Sequence, residues 1–139
     1  MVFKINIAEK EKGLTYHLDS ASETIVGLKL GESIKGEDID SKLSGYEFEI
    51  SGMSDKAGFP STKEVEGTIL KRVLLKYGKG MKNKTNGLRK RKAIRGNTIS
   101  TDVVQINLLV KKKGSASLSS IFPEQCKPKE KKVEEKPIE

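Results

Sequence analysis

The residue types best placed to do chemistry in this chain are cations. From Gly67 to Lys113 there are fourteen Lys and Arg against one acid, and no acid stands between Gly67 and Thr101. The set is Lys71, Arg72, Lys76, Lys79, Lys82, Lys84, Arg89, Lys90, Arg91, Lys92, Arg95, Lys111, Lys112 and Lys113. Solvated surfaces normally mix signs, because unpaired like charges repel and oppose compaction. A one-signed block therefore draws its compensating charge from outside, and polyanions are the usual source. Glycine-spaced lysines can follow an irregular phosphate backbone, and Arg adds planar bidentate contacts to phosphate oxygens. Tyr77 is the only ring in the block, so base stacking is thin and contacts fall mainly on phosphate and sugar. The plainer alternative is a solvated loop or a localisation-type basic patch.

Other constellations are weaker. Gly78-Lys79-Gly80-Met81-Lys82-Asn83-Lys84-Thr85 resembles the phosphate loop GxxxxGK[ST], but Asn83 stands where the second Gly belongs. That Gly lets backbone N–H groups turn toward the phosphates, so no nucleotide-hydrolysing site follows. His17 is the single histidine and Cys126 the single cysteine, too few for a zinc site or an internal disulfide. His17 reads as an outward strand residue and Cys126 as an inert thiol. Glu37, Asp38 and Asp40 lack the spaced oxygens of a calcium loop and read as caps of a short helix near Ile39. No catalytic set, metal or cofactor is expected.

The elements that position these residues read with a period of two. Phe3, Ile5 and Ile7 alternate with Lys4 and Asn6; Tyr16 and Leu18 with His17; Tyr46, Phe48 and Ile50 with Glu47 and Glu49. Val26, Leu28 and Leu30 repeat the pattern, as do Val104, Ile106, Leu108 and Val110. Short alternating runs broken by Gly predict a mainly β fold, a small antiparallel β-barrel whose closure removes exposed edges. Residues 68–76 fit either a helix or a strand with Ile69, Val73 and Leu75 inward, and the β-rich surroundings favour the strand. Short helical turns are expected at Asp38–Leu43 and Ser117–Ile121. Residues 78–96 form a flexible basic segment, in which 78–87 holds nothing to pack. Residues 1–122 make one domain, and 123–139, rich in Lys, Glu and Pro, a disordered tail. Residues 1–66 balance to −5, 67–113 to +13 and 114–139 to zero, which together give the net +8. The N-terminus lacks a signal-peptide pattern, and no apolar run approaches the roughly 18 residues that span a bilayer. No membrane partner is expected, and the lone cysteine fits a reducing cytoplasm.

Three segments are recognisable together. Ser51-Gly52 with Asp55-Lys56-Ala57-Gly58-Phe59-Pro60, then Arg89-Lys90-Arg91-Lys92-Ala93-Ile94-Arg95-Gly96, then Asn107 to Gly114, resemble the SG-x-x-DK-x-GFP, RKRK-x-[VI]-RG and NL-x-[IV]-x-KKG signatures of one family. That family is the archaeal and eukaryotic type of small-subunit ribosomal protein six (the S-six-e family). The resemblance covers residues 1 to about 122. It implies a β-barrel body that binds ribosomal RNA of the small subunit, among neighbouring ribosomal proteins. Carried over by position, Arg89 to Arg95, the loop before them and Lys111 to Lys113 are RNA contacts, while Asp55–Pro60 is a glycine-dependent turn with Phe59 packed inward. Ser61 and Leu88 depart from the family's common Met and carboxylate. The long phosphorylated basic helix of eukaryotic members has no counterpart, which points to the short archaeal form.

The expectation is therefore a structural, non-enzymatic rRNA-binding protein of the cytoplasmic ribosome, monomeric when free and without a small-molecule substrate. A DNA-architectural protein shares the basic surface, but it wants a wedge residue or groove-reading helix, and neither is evident. An enzyme with a concealed site lacks the His, Cys and carboxylate sets it needs.

Overall fold

The computed structural model describes residues 2–126. Its main body is one five-stranded sheet in the order β2-β1-β7-β4-β3. The strands are β1 (Phe3–Glu9), β2 (Leu14–Ser20), β3 (Ser33–Lys35), β4 (Glu47–Asp55) and β7 (Val103–Lys112). A separate two-stranded ribbon pairs β5 (Leu70–Leu75) with β6 (Lys90–Arg95).

The alternation read from the sequence is what makes the core. Phe3, Ile5 and Ile7 are all at most 1% exposed, and β1 sets Ile5 beside Ile106 and Ile7 beside Leu108 of β7. On the other side of β7, Phe48 faces Val110 and Ile50 faces Leu108. Burying each such side chain contributes roughly 1.5–3 kcal/mol before conformational entropy is charged against it. Leu118, Ile121 and Phe122, on and just after the short helix α1 (Leu118–Ile121), pack on this core. The Phe122 ring stacks 5.6 Å from Tyr16. Asp40 caps a 3-10 turn at Ser41–Leu43 through the Lys42 N–H, and Ser117 caps α1, so both expected helical turns form.

Four expectations are corrected. The strands do not close into a barrel, and the sheet is mixed because β1 and β7 run parallel. The exposed edges are handled by other means. β3 has only three residues, and on β2 the Gln125 side chain accepts from the His17 N–H at 2.6 Å and donates to its carbonyl at 2.8 Å. A short edge and a side-chain amide standing in for a neighbouring backbone both block strand addition. Residues 26–30 are not a strand either. Ile25, on a 3-10 turn, and Leu30 are buried, Leu28 is half-buried and Val26 exposed, and Gly27 and Gly31 take positive φ that interrupts extension. In β7 a bulge sets Gln105 opposite Ser54 but Val103 opposite Asp55, so Val103 is buried and Val104 only half-buried. Finally, Glu124 to Cys126 form a turn held by Gln125, with Cys126 packed against the core. The rest of the expected tail, 127–139, lies outside the described residues.

Candidate nucleic-acid interface

The strand reading of residues 68–76 holds: β5 pairs antiparallel with β6, from Leu70 opposite Arg95 to Leu75 opposite Lys90. Six of the twelve ribbon positions are cationic: Lys71, Arg72, Lys90, Arg91, Lys92 and Arg95. Paired residues share a face, so Arg72, Arg91 and Arg95 stand on one side with Leu70 and Leu74, and Lys71, Lys90 and Lys92 on the other with Val73, Leu75 and Ile94. The ribbon thus shows positive charge on both faces. Val73 and Leu75 are half-buried, whereas Ile69, just before the strand, is 67% exposed.

The connecting segment between β5 and β6 carries Lys76, Lys79, Lys82, Lys84 and Arg89. Lys84 places its Nζ 5.5 Å from the centroid of the Tyr77 ring, a cation–π approach. The Lys79 ammonium lies 3.5 Å from the Ser51 carbonyl. Burial, and after it the nearby Lys63 ammonium, pulls the Lys79 pKa below the usual lysine value. The segment does have something to pack, contrary to the sequence reading. Met81 is 1% exposed, and Gly78 and Met81 exchange two backbone hydrogen bonds of 3.1 Å. Gly80 takes φ +85°, a conformation that strains any side chain, and packs beside Leu75, Ile94 and Pro60.

The fourteen predicted residues divide by their partners. Lys71, Arg72, Lys76, Lys79, Lys82, Lys84, Arg89, Lys90, Arg91 and Lys92 have no carboxylate within 4.0 Å among the described residues, whereas Arg95 and Lys111–Lys113 all do. Lys111 pairs with Glu49 at 2.6 Å, Lys112 with Glu47 at 2.9 Å, and Lys113 with Glu9 at 3.5 Å and with Glu11. Lys111, by hydrogen bond and charge, holds Glu49 below the usual glutamate range, and Lys113 does the same to Glu11.

Arg95 is placed differently from its neighbours in the basic run. Its Nε donates to Asp55 Oδ2 at 2.9 Å, and one terminal NH2 donates to the Thr68 carbonyl at 3.0 Å and lies 3.5 Å from Asp102. Asp55 Oδ1 meanwhile accepts from the Ala57 and Phe59 N–H groups, each at 2.9 Å, which closes the turn that Gly58 makes possible at φ +87°. Phe59 itself is half-buried. Burial alone would raise the Asp55 pKa, but the Phe59 N–H, the Arg95 guanidinium and the Ala57 N–H outweigh it and leave the carboxyl below its ordinary value. The first two recognised segments therefore meet in space, and the joint ties the end of β4 to β6 and, through Thr68, to the approach to β5.

The other singled-out residues come to no shared site. His17 is exposed, with Nδ1 2.5 Å from Asn6 Oδ1. Asn83 Oδ1 accepts from the backbone N–H and hydroxyl of Thr85, a local turn with no helix behind it. Among the described residues no group of three or more His, Cys, Asp or Glu is set to hold a metal ion, and no helix is long and apolar enough to cross a membrane. Two features escaped the sequence reading. Lys63 faces the ribbon tip from outside the basic block. The carboxylate partners of Lys111–Lys113 come from strands remote in the chain, and neither feature leaves a local signal.

Fold and site together define a small β protein with a cationic ribbon, and ten cations on and beside that ribbon have no carboxylate partner among the described residues. The comparisons with known proteins carry this further. A profile of the family described as ribosomal protein S6e matches residues 3–123. The chain is 42% identical over 118 residues to "Small ribosomal subunit protein eS6" of Methanococcus maripaludis, covering 85% of this chain and 94% of that one. It is 44% identical over 123 residues to the protein of the same name from Methanothermobacter thermautotrophicus, covering 88% and 96%. This chain belongs to the ribosomal protein S6e family.

Proposed function

We propose that this protein is a structural constituent of the small ribosomal subunit in the cytoplasm, and that it binds ribosomal RNA through phosphate contacts from the ribbon. Family membership supports the first part. The observation that carries the second is the set of ten cations on and beside β5 and β6 that have no carboxylate partner among the described residues. Bringing such charges together opposes folding, and phosphates relieve it by releasing their counterions into solution. Lys111, Lys112 and Lys113 remain exposed and join the interface by exchanging a carboxylate for a phosphate. Arg95 acts at the joint, holding the ribbon at a fixed angle to the sheet. Of the segment 78–96 expected to be flexible, Met81 is buried and Lys90–Arg95 form β6; the stretch between them moves in the free protein and orders on RNA, with neighbouring ribosomal proteins completing the surroundings.

The test is sedimentation of the protein with small subunits at rising salt, beside its affinity for deproteinised small-subunit rRNA. Replacing Arg89, Lys90, Arg91 and Lys92 together by Ala should release the protein from subunits. It should also flatten the log–log salt slope by about three, at roughly 0.7–0.9 per phosphate contact. Retention in the soluble fractions, or equal affinity for duplex DNA, would instead favour the architectural reading.

A further inference from the structure

Seven large hydrophobic residues are exposed among the described residues, and Ile69, Leu70, Leu74 and Tyr77 are four of them. A ribbon that already repels itself electrostatically gains nothing in the free state from apolar groups held in water. Leu74 and Tyr77 form one wall of a cleft of about 640 Å³ between the ribbon tip and the main sheet, a volume within the roughly 300–1,000 Å³ of small-molecule sites. Lys76, Lys79, Ser51 and Lys63 also line the cleft, with the Lys79 ammonium 3.5 Å from the Ser51 carbonyl.

The lining matches the parts of a single nucleotide. Three lysines, Lys63, Lys76 and Lys79, line the cleft with Glu64, and Lys63 also pairs with Glu49 at 3.8 Å. That balance suits one phosphodiester better than a run of phosphates. Lys79 is already partly stripped of water and feels the charge of Lys63, so an anion between the two relieves a repulsion built into the free protein. Tyr77 is 57% exposed. Lys84 covers one face of its ring at 5.5 Å, and a ring has a second face for a flat partner. Every base offers such a face whatever its identity.

From this we infer that the cleft is a pocket for one unstacked nucleotide of an RNA strand, with Tyr77 as its stacking surface and Lys63, Lys76 and Lys79 around its phosphate. The inference rests on the ribbon being an RNA interface and adds a base-binding element to it. It also assigns Lys63, outside the basic block, to the interface.

The chain contains no Trp, so Tyr77→Trp in the full-length protein installs a single indole that a stacked base quenches. Deproteinised small-subunit rRNA should quench it, while inorganic polyphosphate, which has no bases, should bind the ribbon without quenching. Tyr77→Ala should weaken rRNA binding by about 5- to 150-fold, the equivalent of one stacked base, and leave the salt slope unchanged because no charge is lost. Tyr77→Phe should bind as the parent does. If rRNA binds with its ribbon-dependent salt slope but without quenching, and Tyr77→Ala binds within twofold, the pocket is overturned and the ribbon reading survives. If rRNA does not bind at all, the ribbon reading falls and the pocket with it. Quenching by free AMP but not by rRNA would also overturn the inference, making the cleft a site for free nucleotides.

Discussion

Asp55→Ala should unfold this protein more readily than any loss of a surface charge. The carboxylate is 5% exposed and joins three donors, the Ala57 and Phe59 N–H groups and Arg95 Nε, each at 2.9 Å. Removing it strands two backbone donors and leaves a guanidinium, only 14% exposed, with the more distant Asp102 as its remaining carboxylate. Breaking a buried ion pair from one side costs about 3–5 kcal/mol, because the surviving charge stays desolvated. Asp102 tempers this, which places Asp55→Ala near the lower end, at about 3 kcal/mol. Asp55→Asn keeps an oxygen for the turn but loses the charge, and should cost less, about 1.5–3 kcal/mol. Against a total stability of roughly 5–15 kcal/mol either loss is large. Urea unfolding followed by far-UV circular dichroism measures both, with an unchanged dependence on denaturant showing that only stability moved. A loss below about 1 kcal/mol for Asp55→Ala would refute the reasoning, since that is the scale of an exposed pair.

The same group sets a pH dependence. The Asp55 pKa is lowered in the fold, so the unfolded chain binds that proton more tightly. The stabilisation is whole above the unfolded aspartate value of about 3.9 and is lost as pH falls through the lower folded value. In Asp55→Asn this share of the acid destabilisation should vanish, and the gap to the parent should narrow as pH drops.

Other parts of the structure make equally direct predictions. Lys111→Gln should raise the Glu49 pKa back toward the ordinary glutamate value, since Lys111 is the leading cause of its depression; carbon-detected NMR titration of the Glu49 carboxyl reads this. Gly96→Ala should destabilise at the overpacking scale of about 1–3 kcal/mol or more, because its Cβ would fall 1.9 Å from the Gly67 carbonyl oxygen, backbone against backbone. An unchanged urea midpoint would show that the Gly67 turn yields freely. Met81→Ala should speed proteolytic nicking within residues 78–88 while hydrogen exchange in β1 and β7 stays slow. Equal acceleration in both regions would mean that Met81 belongs to the global core.

Much of this was legible in the sequence wherever an interaction is local. Period-two alternation found β1, β2, β4 and β7 because one face of each is buried and the other is not. It misled at residues 26–30, where Gly27 and Gly31 at positive φ turn an apparently alternating run into a 3-10 turn and loop. The barrel was inferred from the need to hide edges. That need is met here by a three-residue strand and by one glutamine side chain from 108 residues away, a solution with no periodic trace. For the interface, composition located the basic block but not its division. Whether a lysine is neutralised depends on partners such as Glu47 and Glu11, 65 and 102 residues distant from Lys112 and Lys113. Only the fold brings them together.

That division explains why one chain tolerates so much unpaired charge. Where cations border the main sheet, at Lys111–Lys113, carboxylates of β1, β4 and the β1–β2 turn answer them, and the core packs without electrostatic strain. The unanswered cations sit on a ribbon with few fully buried residues of its own, chiefly Met81 and Ile94. Repulsion there strains a part whose opening does not unfold the sheet. The Asp55–Arg95 pair stands at the boundary, where a buried charge is worth most as a hinge pin: it fixes the direction of the ribbon without neutralising the charges beyond it. Loss of Asp55 should therefore weaken RNA binding through misplacement of the ribbon, leaving the salt slope per bound phosphate intact, whereas loss of Arg89–Lys92 should reduce the slope and spare the stability of the sheet. If the two variants gave the same signature, the separation between a neutralised body and a charged ribbon would not exist.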